Sequence, residues 1–150
     1  MALRILGDEH KATPKEYLEL QNAERASWDV KLAKRARKRV NSLIKDCFQG
    51  KAEQSLPPVD GLNVAWIMDP AANFTGRDAV EYWLKQKEYY DYKSNSCTDD
   101  ADCDCYTQIV WRESSHVGCA RACCKKGCTI VMCLYDPPGN VPGERPYLLH

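Results

Sequence analysis

The most chemically reactive residues of this sequence are its nine cysteines. Cys105 is the candidate for nucleophilic catalysis, since a thiolate is a strong nucleophile. A catalytic thiolate needs a histidine or another cation nearby to lower its pKa. We expect no histidine near Cys105, and Asp102 and Asp104 would raise its pKa instead. A buried, inert thiol is the favoured interpretation, and a thiol-based activity is the alternative.

An acidic stretch precedes Cys105 and contains Asp99, Asp100, Asp102 and Asp104. Closely spaced carboxylates can bind calcium, but this spacing fits no known calcium loop. A solvated acidic turn is the favoured interpretation. Because no catalytic constellation is apparent elsewhere, we predict a protein that is not an enzyme and needs no cofactor.

Three strands are predicted to position these cysteines. Residues 106–111 are β-branched and aromatic, which favours a strand. Residues 117–124 form a second predicted strand, in which Gly118 would let two backbones approach closely. A tight turn at residues 125–127 leads to a third strand at residues 128–135. Short connections between the three predict an antiparallel meander.

Helices are predicted before this sheet. A capping box at residues 13–16 begins a helix over residues 14–26. A second helix follows Ser27-Trp28-Asp29, with an apolar face that should be buried: Leu32, Ala33, Ala36, Val40, Leu43, Ile44 and Cys47. Its other face is basic: Lys31, Lys34, Arg35, Lys38 and Arg39. A solvated face is favoured there over one that binds an anionic partner such as a membrane surface.

Two further helices are predicted in the middle of the chain. Residues 62–68 favour a short helix. Thr75-Gly-Arg-Asp78 caps another, with an inward face listed as Ala79, Val80, Trp83 and Leu84. The sequence thus predicts a single α+β domain with its helices N-terminal and its sheet C-terminal.

Bulk composition limits the partners and the compartment. The 150 residues contain 21 basic and 21 acidic side chains, so the net charge gives no reason to expect a nucleic acid as partner. No apolar run is long enough to span a membrane. Nine cysteines favour an oxidising, extracellular compartment. The first seven residues are too short an apolar segment for a secretory signal. We expect a mature or trimmed extracellular chain with an added Met, and a cytoplasmic copy is the alternative.

Several motifs occur in one order along the chain. They are Ser27-Trp28-Asp29, Asp46-Cys47, the segment at residues 90–97, Tyr-Thr-Gln-Ile-Val-Trp-Arg at residues 106–112, Val-Gly-Cys-Ala-Arg at residues 117–121, and residues 133–140. Together they resemble the plant pathogenesis-related protein 1 family of the CAP superfamily. The resemblance implies a three-layer α-β-α sandwich with a central antiparallel sheet, stabilised by disulfides. It divides the chain into an N-terminal arm (1–13), a CAP domain (14–136) and an extended tail (137–150).

The resemblance also implies a cleft that is altered in this chain. Family members typically place two histidines and two acidic residues there, a ligand set suited to zinc. Three of the matching positions are Leu62, Gln86 and Cys105, and the loop after Cys47 contains no histidine. We therefore predict a degenerate cleft that does not bind zinc.

The resemblance implies three disulfides, Cys47–Cys124, Cys97–Cys103 and Cys119–Cys133. Three cysteines are additional to that set. Cys123 and Cys128 flank the turn at residues 125–127 and could bridge it, which would leave Cys105 free.

An aromatic loop carries the first functional hypothesis. In this family the segment that matches residues 89–96 is associated with sterol binding, and the candidate residues here are Tyr89, Tyr90, Tyr92, Ser94 and Asn95. Tyrosine rings offer flat apolar faces with polar tips, which suits a sterol or another lipid. The alternative is that the rings pack against the sheet and the helix ends.

The C-terminal segment carries the second hypothesis. Residues 137–147 resemble the segment that family members release as a defence-signalling peptide, which would require a processing protease to cut between Asp136 and Pro137. The prolines and glycines of this segment predict an extended surface tail beyond Cys133; the alternative is a tail that only covers the sheet or the helices. An interaction scaffold with a degenerate cleft is the remaining function class, and a monomer is predicted in each case.

Overall fold

The computed structural model describes residues 26–47, 61–68, 73–123 and 127–149. Its helices are α1 (Val30–Cys47), α2 (Gly76–Lys85) and α3 (Asp104–Val110), with a 3-10 turn at Gln86–Tyr89. Its strands are β1 (Ser27–Trp28), β2 (Leu62–Ile67), β3 (Tyr90–Asp91), β4 (Ser96–Cys97), β5 (His116–Cys123) and β6 (Thr129–Asp136). The predicted N-terminal arm, almost all of the predicted helix at residues 14–26 and the turn residues Lys125 and Lys126 lie outside these ranges.

The central sheet is built around β5 and β6. These two strands pair antiparallel, with Cys119 opposite Cys133, and they confirm the second and third strands of the sequence prediction within one or two residues at each end. Strand β2 pairs antiparallel with the other edge of β6, and the two-residue β1 pairs parallel with β5. The sheet is therefore antiparallel apart from that short strand, in the order β1-β5-β6-β2.

The predicted first strand of the meander is wrong. Residues 104–110 form α3, and residues 106–109 are all buried. A short segment buried on all sides has no amphipathic period, so its β-branched composition does not distinguish a helix from a strand. Here tertiary packing around the segment determines its conformation and overrides its local β propensity.

The predicted helix at residues 62–68 is wrong as well. This segment is β2, and its buried residues Asn63 and Ala65 alternate with more exposed neighbours. The sequence Leu-Asn-Val-Ala-Trp-Ile does not show that period, because nearly all of its residues are apolar. Pairing with residues 129–134 of β6 fixes the segment as a strand, and that partner is distant in the chain.

Helix α1 covers one face of the sheet, as its apolar pattern predicted. The Asp29 carboxylate Oδ1 accepts hydrogen bonds from the backbone nitrogens of Lys31 (2.8 Å) and Leu32 (3.2 Å), which caps the helix start. The buried residues of this layer lie on α1, β5 and β6: Leu32, Ala36, Val40, Leu43, Ala120, Cys128, Ile130, Met132 and Leu134.

Helices α2 and α3 cover the opposite face. Thr75 and Asp78 form the predicted capping box, in which each side chain accepts from the other residue's backbone nitrogen. Ala79, Val80 and Trp83 are buried as predicted, and Leu84 is partly buried. With α1 on the other side, the described residues confirm the three-layer arrangement. None of the helices within these ranges is long and apolar enough to cross a membrane.

Candidate functional site

The tyrosine loop, residues 89–97, is a tightly closed hairpin. Strands β3 and β4 pair Tyr90 with Cys97, and the disulfide Cys97–Cys103 holds the hairpin against α3. The Tyr90 hydroxyl donates to Asn95 Oδ1 (2.8 Å) across the turn. Ser94 Oγ donates to Asp91 Oδ2 (2.6 Å), and this hydrogen bond lowers the pKa of the Asp91 carboxyl. The loop is therefore fixed at its base and at its tip.

Four tyrosine rings form a cluster beside this hairpin. Tyr90 lies 6.4 Å edge-on from Tyr92 and 6.1 Å from Tyr106 of α3, between ring centroids. Tyr147 of the C-terminal tail stacks on Tyr92 at 5.3 Å and meets Tyr90 edge-on at 6.4 Å. Tyr89 is 41% exposed and, among the described residues, makes no ring contact. The structure thus brings two of the three predicted tyrosines together and adds two that sequence reasoning did not select.

The tail is seated on the tyrosine loop by polar contacts as well. The Arg145 guanidinium lies 5.3 Å from the Tyr92 ring centroid, and its nitrogens donate to the carbonyl oxygens of Tyr92 (3.0 Å) and Lys93 (2.9 Å). Asn95 Nδ2 donates to the Glu144 carbonyl (3.0 Å). Both candidate regions of the sequence therefore form one surface.

Helix α3 anchors the start of the tail. The buried Gln108 accepts from the Gly139 nitrogen (2.9 Å) and donates to Ser114 Oγ (3.0 Å), which in turn donates to the Pro137 carbonyl (2.7 Å). Further along, the Arg112 nitrogen donates to the Pro146 carbonyl (2.8 Å). As predicted, the tail has no helix or strand, but these contacts attach it firmly to the domain.

The predicted cleavage position lies at the surface. Asp136 and Pro137 are both exposed. The carbonyl of Asp136 accepts a hydrogen bond from the Ser115 nitrogen (3.1 Å). A protease would therefore reach the side chains directly but would have to displace this bond, the pairing of Asp136 with His116 and the bond from Ser114 Oγ to the Pro137 carbonyl.

A cavity of about 250 Å³ lies between the tyrosine loop and the tail. Its lining includes Tyr90, Asn95, Asp104, Thr107 and Asn140. Burial, with the neighbouring Asp102, raises the pKa of the Asp104 carboxyl, and burial raises the pKa of the Tyr90 hydroxyl. The cavity therefore offers protonated tyrosine and amide donors beside aromatic faces.

A second cavity, of about 360 Å³, was missed by sequence reasoning. It is lined mainly by apolar side chains of β2 and by two aromatic residues near α2: Val64, Ala65, Trp66, Ile67, Phe74 and Tyr82. Assigning residues 62–68 to a helix concealed it, since only a strand places these side chains beside Phe74.

The structure unites two of the three positions assigned to the degenerate cleft. Gln86 Oε1 accepts hydrogen bonds from the backbone nitrogens of Cys105 (3.0 Å) and Tyr106 (3.3 Å). Leu62 packs instead with the cluster on the α1 side of the sheet. Burial, followed by the charges of Asp102 and Asp104, raises the pKa of the Cys105 thiol to about 12.

These residues do not fit the metal that the resemblance implies. The Gln86 oxygen is already occupied by two backbone donors, and a protonated thiol is a poor zinc ligand. In the part of the chain that the structure describes, one group of three candidate ligands is found, Cys97, Cys103 and Asp104. Its two sulfur atoms are bonded to each other, so that group does not form a ligand set either.

The cysteine predictions are partly confirmed. Cys97–Cys103 and Cys119–Cys133 are disulfides, and Cys105 is free. The predicted Cys123–Cys128 bridge is wrong, because Cys123 is free and exposed while Cys128 is disulfide-bonded and buried. In the strand register Cys123 faces Thr129, the residue after Cys128, and neighbouring side chains point to opposite sheet faces. Cys124 lies outside the described residues, and the predicted Cys47–Cys124 pair with it.

Comparisons with known proteins agree with this geometry. Residues 8–135 match the family described as CAP, the cysteine-rich secretory protein family. Pathogenesis-related leaf protein 4 of Solanum lycopersicum is 38% identical over 148 residues, covering 93% of this chain and 86% of the relative. Pathogenesis-related protein 1C of Nicotiana tabacum is 40% identical over 140 residues, covering 88% and 79%.

Solved structures share the fold at lower identity. BmVAL-1 superposes with a TM-score of 0.69 at 22% identity, covering 91% of this chain and 82% of that one. The crystal structure of NaASP2 with Zn²⁺ superposes with a TM-score of 0.58 at 18% identity, covering 89% and 84%. At such identities these matches support the fold alone.

Proposed function

This chain belongs to the CAP family of cysteine-rich secretory proteins and to its plant pathogenesis-related protein 1 branch, and from that premise we propose an extracellular, defence-related protein that acts by binding. A binding role fits the protonation state of Cys105, because its raised pKa keeps it a protonated thiol at neutral pH. The two disulfides among the described residues fit an oxidising compartment.

The proposed ligand is a sterol or another lipid with a rigid apolar body and a hydroxyl. The observation that carries this proposal is the stack of Tyr92 on Tyr147 beside a cavity lined by Tyr90 and Asn95. Stacked rings provide a flat apolar wall, and the phenol and amide groups can hydrogen-bond to a hydroxyl. The hairpin contacts hold this surface in place before a ligand binds, which reduces the entropy lost on binding.

The cavity size restricts how a sterol would bind. Pockets that enclose drug-sized ligands measure roughly 300–1,000 Å³, and this cavity is about 250 Å³. Either the hydroxyl-bearing end of the ligand enters alone, or the tail moves aside. In both cases the ligand contacts Tyr90, the tyrosine that lines the cavity.

Titration with tritiated cholesterol and a plant sterol tests this proposal. Tyr90→Ala should weaken binding about tenfold through loss of one aromatic contact. Tyr82→Ala is the matched control, because this ring is exposed on α2 and lines the second cavity. If Tyr82→Ala weakens binding and Tyr90→Ala does not, the lipid occupies the second cavity and the proposed site is wrong. If the wild-type protein binds no sterol, the ligand class is wrong.

A second candidate function is that of a precursor of a C-terminal signalling peptide. It is favoured by the exposure of Asp136 and Pro137, three residues beyond the last cysteine of the chain, Cys133. Incubation in plant apoplastic fluid should yield a fragment that begins at Pro137, detected by mass spectrometry. Asp136→Ala should abolish that fragment. An intact tail, under conditions that process a control family member, would refute the precursor role.

The remaining alternative is an interaction scaffold. It predicts neither sterol binding nor processing, so failure of both experiments would favour it. A thiol-based activity at Cys105 is disfavoured by its high pKa and by its partial burial against the core beside α2 and α3.

A further inference from the structure

The strongest charge asymmetry of the molecule lies on α1. This helix contains seven basic residues and one acidic residue, a net charge of +6. Because the whole chain is neutral, the other 132 residues together carry −6. Four of the acidic residues lie in the acidic turn at residues 99–104, which leads into α3 on the opposite face of the sheet. Among the described residues, charge is therefore separated across the sheet as an electric dipole with α1 at its positive end.

Among the side chains of α1 that the structure describes, four basic ones are exposed, and we call them the basic face: Lys31, Lys34, Arg35 and Lys38. Their spacing of three, four and seven residues places them on one side of the helix, along about 10 Å of its axis. All four are exposed, and none has an ion-pair partner within the described part of the chain.

The two remaining arginines in this part of α1 have structural roles. Arg37 is partly buried and donates to the carbonyl of Arg121 on β5. Arg39 is also partly buried and interacts with other groups of the protein. These two arginines therefore contact the protein itself, whereas the side chains of the basic face remain available to a partner.

We propose that the basic face docks this protein on an anionic lipid surface. A straight row of long cationic side chains matches the plane of negatively charged headgroups, each strengthening binding about fivefold. The apolar side of α1 is already buried against β5 and β6, so the contact is electrostatic and superficial. The face contains no aromatic side chain on which a nucleic-acid base would stack, which favours lipid over RNA or DNA.

The dipole also sets the orientation of the docked protein. With α1 toward the lipid, the tyrosine loop and the tail lie on the far side of the sheet and face the solution. The proposed ligand site and the Asp136–Pro137 bond therefore stay accessible in the docked state. This inference rests on the charge of α1 and is independent of sterol binding.

Co-sedimentation with vesicles tests the proposal on the full chain. The wild-type protein should bind phosphatidylcholine vesicles that contain about one third phosphatidylserine, and added salt should release it. Pure phosphatidylcholine vesicles should not bind it. Lys34→Glu, Arg35→Glu and Lys38→Glu together should weaken binding at least about 100-fold.

The matched control changes the same amount of charge elsewhere. Lys85→Glu, Lys87→Glu and Lys93→Glu together reverse three exposed lysines on the α2 side of the molecule. Thermal unfolding must show that both triple variants are folded. Equal loss of binding in the two triples would overturn the proposal, since net charge would then explain the effect. No binding by the wild-type protein, or binding to RNA but not to vesicles, would overturn it too.

Lysine acetylation of the vesicle-bound protein gives a readout of orientation. Lys31, Lys34 and Lys38 should be protected from the reagent, and Lys85, Lys87 and Lys93 should react as they do in solution. Protection of the second set would contradict the proposed docking face even if the protein binds.

Discussion

Tyr147 stacks on Tyr92 with ring centroids 5.3 Å apart and an angle of 21° between the ring planes. One ring belongs to the C-terminal tail and the other to the tyrosine loop. These are the segments to which the sequence assigns two separate functions, peptide release and lipid binding. Their stacking means that removal of the tail would also uncover the proposed lipid site.

Substitution of Tyr147 tests this connection. Tyr147→Ala should lower the free energy of unfolding by about 1 kcal/mol, since it removes the stack with Tyr92 and the edge contact with Tyr90. Nitration of Tyr92 should become faster because its ring face is uncovered. Tyr89→Ala is the control, since this exposed ring contacts no other ring in the described structure. Equal effects of the two variants on stability and on nitration would contradict the prediction.

Gly118 provides a test of the layer between β5 and α1. A methyl group at this position would lie 2.6 Å from the Leu32 carbonyl carbon and 2.7 Å from the Asp29 oxygen, and it would also contact the Ala33 nitrogen. All three are backbone atoms, so the helix must move. Gly118→Ala should therefore lower the free energy of unfolding by about 3 kcal/mol, measured by urea denaturation.

Gly143→Ala is the matched comparison. Nothing lies within 4 Å of the added methyl group there, but φ is +82°. The cost should be about 1 kcal/mol from backbone strain alone. If Gly118→Ala is no worse than Gly143→Ala, the close approach of β5 and α1 is not a tight constraint.

Local chemistry made several elements predictable. Thr75 and Asp78 supply both halves of a capping box within four residues, and the structure contains both hydrogen bonds. The apolar spacing of α1 identified its buried side and, by difference, its basic face. Gly118 was identified as a point of close backbone approach, and Ala33 lies directly against it. In each case the structure depends on interactions between residues that are close in sequence, or on a residue type whose size allows one specific packing.

Elements fixed by distant partners were not predictable in this way. Residues 104–110 became a helix because packing surrounds them, and residues 62–67 became a strand because β6 lies alongside. The stacking of Tyr147 on Tyr92 could not be predicted from the sequence of either segment alone. The cysteine positions identified two disulfides through a resemblance, whereas Cys123 and Cys128 were misjudged because their pairing depends on strand register.

The two free thiols of the described chain should differ in reactivity. The pKa of Cys105, raised to about 12, leaves only about one thiolate in ten thousand at pH 8, and the side chain is partly buried. Cys123 is exposed and serves as an internal control. Iodoacetamide at pH 8, followed by peptide mass mapping, should modify Cys123 at least about 100-fold faster than Cys105. Comparable rates would show that Cys105 is accessible and ionised, and would reopen a thiol-based activity.

The attachment of the tail should depend on Gln108. Its amide joins α3 to Gly139 directly and to Pro137 through Ser114 Oγ, and the side chain is only 1% exposed. Gln108→Ala removes both partners and leaves the Gly139 nitrogen unsatisfied. The free energy of unfolding should fall by about 2 kcal/mol. Amide exchange should accelerate over residues 139–147 and stay unchanged in the centres of β5 and β6.

The consequence for peptide release is directly measurable. After cleavage between Asp136 and Pro137, the wild-type fragment should co-elute with the domain in size-exclusion chromatography, because Gln108, Arg112 and Tyr92 still hold it. In Gln108→Ala the fragment should separate at once, while Lys87→Ala, an exposed control on the same side of the sheet, should retain it. Immediate separation of the wild-type fragment would mean that the tail contacts are too weak to delay release. Retention in both variants would assign the attachment to the contacts that Gln108→Ala leaves intact. These include the Tyr92–Tyr147 stack, the Arg145 contacts, the Arg112–Pro146 hydrogen bond and the hydrogen bonds of Asn140 with α3.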